Sequence, residues 1–290
     1  MSSAEADSPM PGPGTGRPVI DFHTHLFPTP LFQAIWRYFD ERLWPVRYQG
    51  ETDELVDTLL ASGVERFVFS TYAHKPAIAR GLNRWSAEVA GRHSRAIPLG
   101  TFHPLDDVEG LAREAFDELG LAGFKIHCRV QACYPDEPGL RPAFREAERR
   151  GKICLIHCGP APISSPYASA RRLERMLRRF PGVTFVVAHM GADEFDRYYD
   201  LMAVYDNLYL DTAMVFAGFH PWAPRISGLV EFQDRILYGS DFPNLPYDVK
   251  AGLEGILNLE LGVGIEDKIL YNNAARLLGL SAPRVLGAKS

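Results

Sequence analysis

Short β-rich runs recur along the chain at intervals of about 30 residues, and this rhythm constrains the fold more than any other feature. The runs are Val19–His25, Arg66–His74, Ala96–Pro104, Gly123–Arg129, Lys152–Gly159, Thr184–Gly191, Leu208–Met214 and Ile236–Pro243. Between them apolar residues return at helical spacing, as in Ile78, Leu82, Trp85 and Val89. Val108, Leu111, Ala115 and Leu119 repeat that pattern, and Gly120 stops it. A strand with its return helix takes about 30 residues. Eight such units predict an α/β protein of the (β/α)8 TIM-barrel type. A doubly wound open sheet is the competing architecture, but the first turn lacks the glycine-rich dinucleotide fingerprint.

The barrel is expected to occupy 19–290 as a single domain. Residues 1–18, rich in Ser, Pro, Gly and Ala, read as a disordered tail and lack the apolar core of a secretory signal. No apolar run reaches the roughly 20 residues that cross a bilayer, so no membrane contact and a cytoplasmic location are expected. The net charge of -5 is mild and dispersed and gives no reason to expect a nucleic-acid partner. Five arginines, Arg171, Arg172, Arg175, Arg178 and Arg179, share one helix with an apolar stripe; a solvated outer face explains them better than a basic binding patch. Cys128, Cys133, Cys154 and Cys158 are read as reduced, buried barrel thiols, with a separate zinc knot as the weaker reading. The longest connection, 26–52, carries Phe27, Phe32, Trp36, Tyr38, Phe39, Trp44 and Tyr48. It is either a lid or pocket wall, or a packing surface that would suit a homo-oligomer.

The histidines point to a site. Of nine, His23 and His25 close the first run, and His74, His103, His127, His157 and His189 close the next five. His220 follows the seventh, and only His93 lies elsewhere, at a helix end. The C-terminal ends of barrel strands form the active-site face. In a strand, residues two apart share a face, so His23 and His25 point together with Asp21 one step behind. Asp241 stands at the end of the eighth run, before Pro243. Histidine nitrogens and a carboxylate are the usual donors for zinc, and His23, His25, His157 and Asp241 provide three of one and one of the other. A nucleic-acid deaminase is disfavoured, since its Cys-x-x-Cys ligand pattern is absent.

Five motifs together carry a resemblance: DFHTH in the first run, GFKIH in the fourth, LIHCG in the fifth, AHMG in the sixth and YGSDFP in the eighth. With the closing segment Tyr271–Leu280, they make the chain similar to the amidohydrolase superfamily. The branch it resembles holds metal-dependent hydrolases and non-oxidative decarboxylases. The resemblance implies one divalent ion, expected to be Zn2+, held by His23, His25, His157 and Asp241. It assigns Asp241 and His189 to catalysis, through a metal-activated water and proton transfer. Lys125 is read two ways: as a carboxylated bridge to a second metal, or as a charged contact inside the barrel paired with a carboxylate such as Asp21. Asp211 is expected to orient a ligating histidine.

The expected partner is a small-molecule substrate. Arg47, Tyr72, His103, Lys125, His127, Arg129 and Trp222 are the candidate substrate contacts, with Arg225 a further candidate carboxylate clamp. Two chemistries fit these residues. Hydrolysis of an amide, ester or lactone is placed first because the chain is compact; the alternative is non-oxidative decarboxylation of an aromatic or muconate-type acid. A barrel that kept the fold without catalysis would be expected to show broken ligands, and none of the four is missing.

Overall fold

A computed structural model describes residues 17–160 and 162–280. The expected tail lies almost wholly outside the described residues. Eight parallel strands follow one another in chain order around a single sheet: β1 (Ile20–His25), β2 (Arg66–Ser70), β3 (Ala96–Thr101), β4 (Gly123–His127), β5 (Ile153–His157), β6 (Thr184–Val187), β7 (Leu208–Asp211) and β8 (Ile236–Leu237). The sheet closes on itself through the chain just beyond β8. Phe22 N–H donates to Tyr238 O at 2.8 Å, Asp241 N–H to His23 O at 2.8 Å, and His25 N–H to Phe242 O at 2.7 Å. Closure therefore sets Asp241 against the two histidines of β1. The fold is a (β/α)8 barrel.

Its helices are α1 (Thr29–Arg42), α2 (Thr52–Ala61), α3 (Ala79–Arg92), α4 (Val108–Arg113), α5 (Arg141–Arg149), α6 (Ala170–Arg179), α7 (Phe195–Val204), α8 (Ile226–Glu231), α9 (Lys250–Leu257), α10 (Val263–Asp267) and α11 (Asn273–Leu277). The stripe of Val108, Leu111 and Ala115 builds α4 and the wider turn Glu114–Glu118 that continues it. None of the described helices is long and apolar enough to cross a membrane. The connection after β1 is not an open loop: α1 fills its first half, burying Phe32 and Trp36 on the barrel.

Two apolar layers hold the fold. The larger lies between strands and helices, with Phe67, Phe69, Phe124 and Ile156 turned outward against Leu59, Leu82 and Phe144. The smaller fills the barrel's lower interior, where Ile20, Phe22, Val68, Leu99, Leu155 and Leu237 meet. Tyr271, Ala274 and Ala275 of the C-terminal segment pack against it. That segment is tied to the last strand by Asn273, whose Nδ2 donates to Gln233 O at 2.7 Å and Ile236 O at 2.8 Å.

The pairing of β1 with β2 contains a β-bulge. Asp21 pairs with Phe67 and Thr24 with Phe69, so Phe22 and His23 together face Val68. One extra residue reverses the in–out alternation. Phe22 and His23 both turn into the barrel, and Asp21 belongs to the opposite face. The expectation that Asp21 shares a face with His23 and His25 is thus corrected, since simple alternation fails across a bulge.

Candidate metal centre

Above the lower apolar layer the barrel interior becomes polar. His23 and His25 rise from β1, and their Nε2 atoms lie 3.2 Å apart. Asp241 Oδ1 lies 3.4 Å from the first and 3.1 Å from the second. All three residues are buried. Asp241 reaches them from a left-handed backbone conformation (φ 71°), which short polar residues such as Asp tolerate better than most.

The far sides of both rings are fixed. His23 Nδ1 is 2.9 Å from Asp211 Oδ2, and His25 Nδ1 is 3.2 Å from Ser70 O. A carbonyl and an ionised carboxylate only accept, so each faces an N–H and leaves the opposing Nε2 bare. Two unprotonated imidazole nitrogens, that of His23 also 3.0 Å from Lys125 Nζ, and a carboxylate oxygen then converge on one point. Three acceptors so arranged call for a cation, and their chemistry fits a divalent metal ion. A second cluster, His23, His189 and Asp211, also lies within metal-ligand reach. There Asp211 is already engaged: Oδ2 holds His23, and Oδ1 accepts the backbone N–H of His189 at 2.9 Å and of Ala213 at 3.1 Å. Asp211 is therefore the orienting carboxylate anticipated from sequence.

His189 sits in a left-handed turn after β6 (φ 55°), and its Nδ1 lies 2.9 Å from Ala213 O. Beside this turn the fifth and sixth strand-end loops touch. A Cβ at Gly159 would lie 2.7 Å from the Gly191 carbonyl. Gly159 thus serves contact between the fifth and sixth loops, whereas Gly191 (φ 80°) makes room for the Tyr198 ring. His157 lines the same cup but stands outside the tight triad. Its ring stacks on His127 (4.2 Å between centroids, 8° between planes) and meets His189 edge-on at 4.9 Å.

The electrostatics favour neutral imidazoles. Burial pushes His23 well below its usual range, and the Lys125 charge adds to this. His127 and His157 are likewise lowered, first by burial, then by neighbouring cationic groups. Burial alone would raise Asp241, but the hydrogen bond with His25 and the neighbouring His23 and His189 rings prevail and hold it below the usual carboxylate range. Lys125 is completely buried, its Nζ 3.0 Å from His23 Nε2. Burial lowers it to about 8, against the pull of Asp211 and Asp241. Asp21 is not its partner: Asp21 Oδ1 accepts the backbone N–H of His23 at 3.1 Å and of Ser240 at 3.0 Å.

The cup, about 60 Å³, is lined by His25, Tyr72, His127, Arg129, His157 and His189 among others. It opens beside a much larger cleft of about 870 Å³ whose walls are mainly apolar. Tyr72, His127 and Arg129 line both. Tyr72 packs edge-on against His25 (5.5 Å), and Arg129 donates to Tyr38 Oη at 2.7 Å.

The other sequence candidates lie off both cavities. Arg47 is half exposed and pairs with Asp248 at 3.3 Å. Arg225 lies on the surface beside Asp196. His103 is buried, with Nδ1 accepting from Leu105 N–H. Trp222 stacks on His220 at 4.0 Å, and 6.4 Å separates its ring from that of His189. Trp44, from the connection read as a lid or pocket wall, lines the cup, and so do Ile163 and Met214, which sequence reasoning missed. Apolar loop residues carry no sequence signal that separates pocket wall from core. The four cysteines are free and buried, as expected.

The comparisons agree with the barrel fold. No curated protein matches the chain. Among solved structures, 5-carboxyvanillate decarboxylase from Sphingomonas paucimobilis is similar (TM-score 0.66, 19% identity, 91% of this chain and 99% of that one). The same named enzyme from Novosphingobium aromaticivorans, complexed with manganese and a nitrobenzoic acid, is similar over 94% of this chain and 99% of that one (TM-score 0.68, 17% identity). So is 2,6-dihydroxybenzoate decarboxylase from Rhizobium (TM-score 0.64, 18% identity, 91% and 99%). The amidohydrolase family model matches residues 20–280, nearly the whole described barrel, and the chain belongs to that family.

Proposed function

We propose that this protein is a divalent-metal-dependent decarboxylase that removes CO2 from an aromatic carboxylic acid. The observation that carries the reading is the joining of two cavities. A cleft walled by apolar and aromatic side chains suits a ring. It narrows at Tyr72, His127 and Arg129 into a cup where His23, His25 and Asp241 converge. Among the described residues no carboxylate lines the cleft. The named activities of the similar structures support the same reading, and for this reason decarboxylation is preferred to the hydrolysis placed first on sequence grounds.

His23, His25 and Asp241 would hold the ion, with His157 at the edge of the same cup. The ion would supply Lewis acidity that anchors the acid's oxygens. Zinc suits the two imidazoles, and manganese is the ion bound in one similar structure. Arg129 offers the planar fork that binds a carboxylate. Tyr72 and His127 form the wall against which the ring would lie. In the reaction the bond from ring to carboxylate breaks, its electron pair stays on the ring carbon, and CO2 departs. That carbon then takes a proton. His189 and Asp241 are the groups at the cup able to carry it.

The test is to incubate zinc- or manganese-loaded protein with hydroxylated and methoxylated benzoates, measuring CO2 and the decarboxylated phenol together. Lactones and N-acyl amino acids run in parallel. CO2 release with a matching amount of phenol is expected. Acid release from a lactone or amide, with no CO2 from any benzoate, would restore hydrolysis as the function.

A further inference from the structure

The large cleft exceeds what a single benzoate ring requires, and its construction is specific. Leu31, Ala34, Ile35 and Tyr38 follow helical spacing on α1 and all face it, while Phe32 and Trp36 of the same helix turn into the core. Opposite stand Ile78, Gly81 and Leu82 at the start of α3. The long connection after β1 therefore places an amphipathic helix with an apolar face on each side. The two cations that line the cleft, Lys75 and Arg129, have no ion-pair partner among the described residues. The cleft and the cup share Phe39, Leu43, Tyr72, His127 and Arg129 as wall residues, so they adjoin.

We propose that the cleft between α1 and α3 is a substrate subsite for an alkyl chain, and that the substrate is an elongated aryl acid. Its carboxylate enters the cup and its chain lies between Leu31, Ile35, Ile78 and Leu82. The inference rests on the carboxylate-in-cup placement above and adds the chemical class of the rest of the molecule. Arg129, at the junction, meets the anionic head. The apolar walls take the chain, each buried methylene leaving water.

Gly81 offers a direct test. A Cβ there would meet nothing within 4 Å among the described residues, and the backbone is helical, so a side chain can start into the cleft and a helix-weakening glycine is removed. The probes are alkylsalicylates from the unsubstituted acid to a chain of about eight carbons, titrated calorimetrically into metal-loaded wild type and Gly81→Trp. In wild type, affinity is expected to rise about fourfold per methylene until the cleft is full. In Gly81→Trp, whose folding a thermal scan checks, affinity should no longer rise with chain length, whatever its value for the unsubstituted acid. Affinity independent of chain length in wild type overturns the subsite. So does an undiminished dependence in Gly81→Trp, which would place the chain elsewhere. CO2 is measured separately on the same series. Chain-dependent binding without CO2 sinks decarboxylation alone, whereas CO2 from short acids with flat binding sinks the subsite alone.

Discussion

His23 Nδ1 and Asp211 Oδ2 lie 2.9 Å apart at the centre of the barrel, and both residues are fully buried. The contact fixes which nitrogen of His23 faces the converging Nε2 of His25 and Oδ1 of Asp241. Asp211→Asn tests it. Its amide nitrogen, turned toward His23, would demand the other tautomer and place a proton on Nε2. Affinity for zinc, measured by competition with a chelator, should fall about 10–100-fold. The secondary-structure signal should be unchanged. Undiminished affinity would show that Asp211 does not orient the ligand.

His25 and His157 separate the tight triad from its surroundings. His25→Ala removes one of three convergent donors and should abolish metal retention through gel filtration. His157→Ala should weaken retention less, because His157 stacks on His127 outside that triad. Metal analysis of wild type should give about one ion per chain. Mass spectrometry should find Lys125 unmodified, since its Nζ is packed against His23 Nε2. About two ions with a carbamate on Lys125 would replace this picture with a binuclear one.

Much of this was legible in the sequence, for definite physical reasons. Parallel strands buried on both faces must be apolar runs, so Leu155-Ile156 and Val186-Val187 announce themselves. The polar residues that break those runs at one end, His157, His189 and Asp241, mark the mouth. The bulge at Phe22–His23 was not legible. It lies in the pairing of β1 with β2, where β1 also bonds the segment after β8, and nothing local in DFHTH encodes it. Nor could sequence sort the arginines. Arg129 reaches the cup because the turn after β4 folds back, pinned by Gln131 Oε1 accepting from His127 N–H at 2.7 Å. Arg47 is drawn to Asp248, a partner about 200 residues away.

Arg129 should govern binding of the acid rather than the fold. It is partly exposed and has no ion pair among the described residues; its guanidinium lies against the hydroxyl and ring of Tyr38. Arg129→Gln should weaken salicylate binding by about thirtyfold, matching the ~2 kcal/mol of a hydrogen bond to a charged group. Thermal stability should change little. Calorimetric titration reads the first effect and scanning calorimetry the second. Equal salicylate affinity in the variant would remove Arg129 from the site.

Asp21 makes stability depend on pH. Burial raises its carboxyl from 3.8 to about 7, against the hydrogen bonds from Ser240 and His23. Its Oδ2 has no hydrogen-bond partner among the described residues. In the folded protein the group keeps its proton up to about pH 7, while in the unfolded chain it ionises near 3.8. Between those values unfolding releases a proton, so rising pH favours the unfolded state. The contribution is fully present below 3.8 and gone above about 7, a change on the order of 4 kcal/mol. Asp21→Asn keeps an acceptor for the two N–H groups and cannot ionise. Its melting temperature should therefore gain on wild type as pH rises from 4 to 7 and run parallel above that. Denaturation curves for both proteins across this range decide the matter. A constant gap would mean that Asp21 is already ionised in the fold.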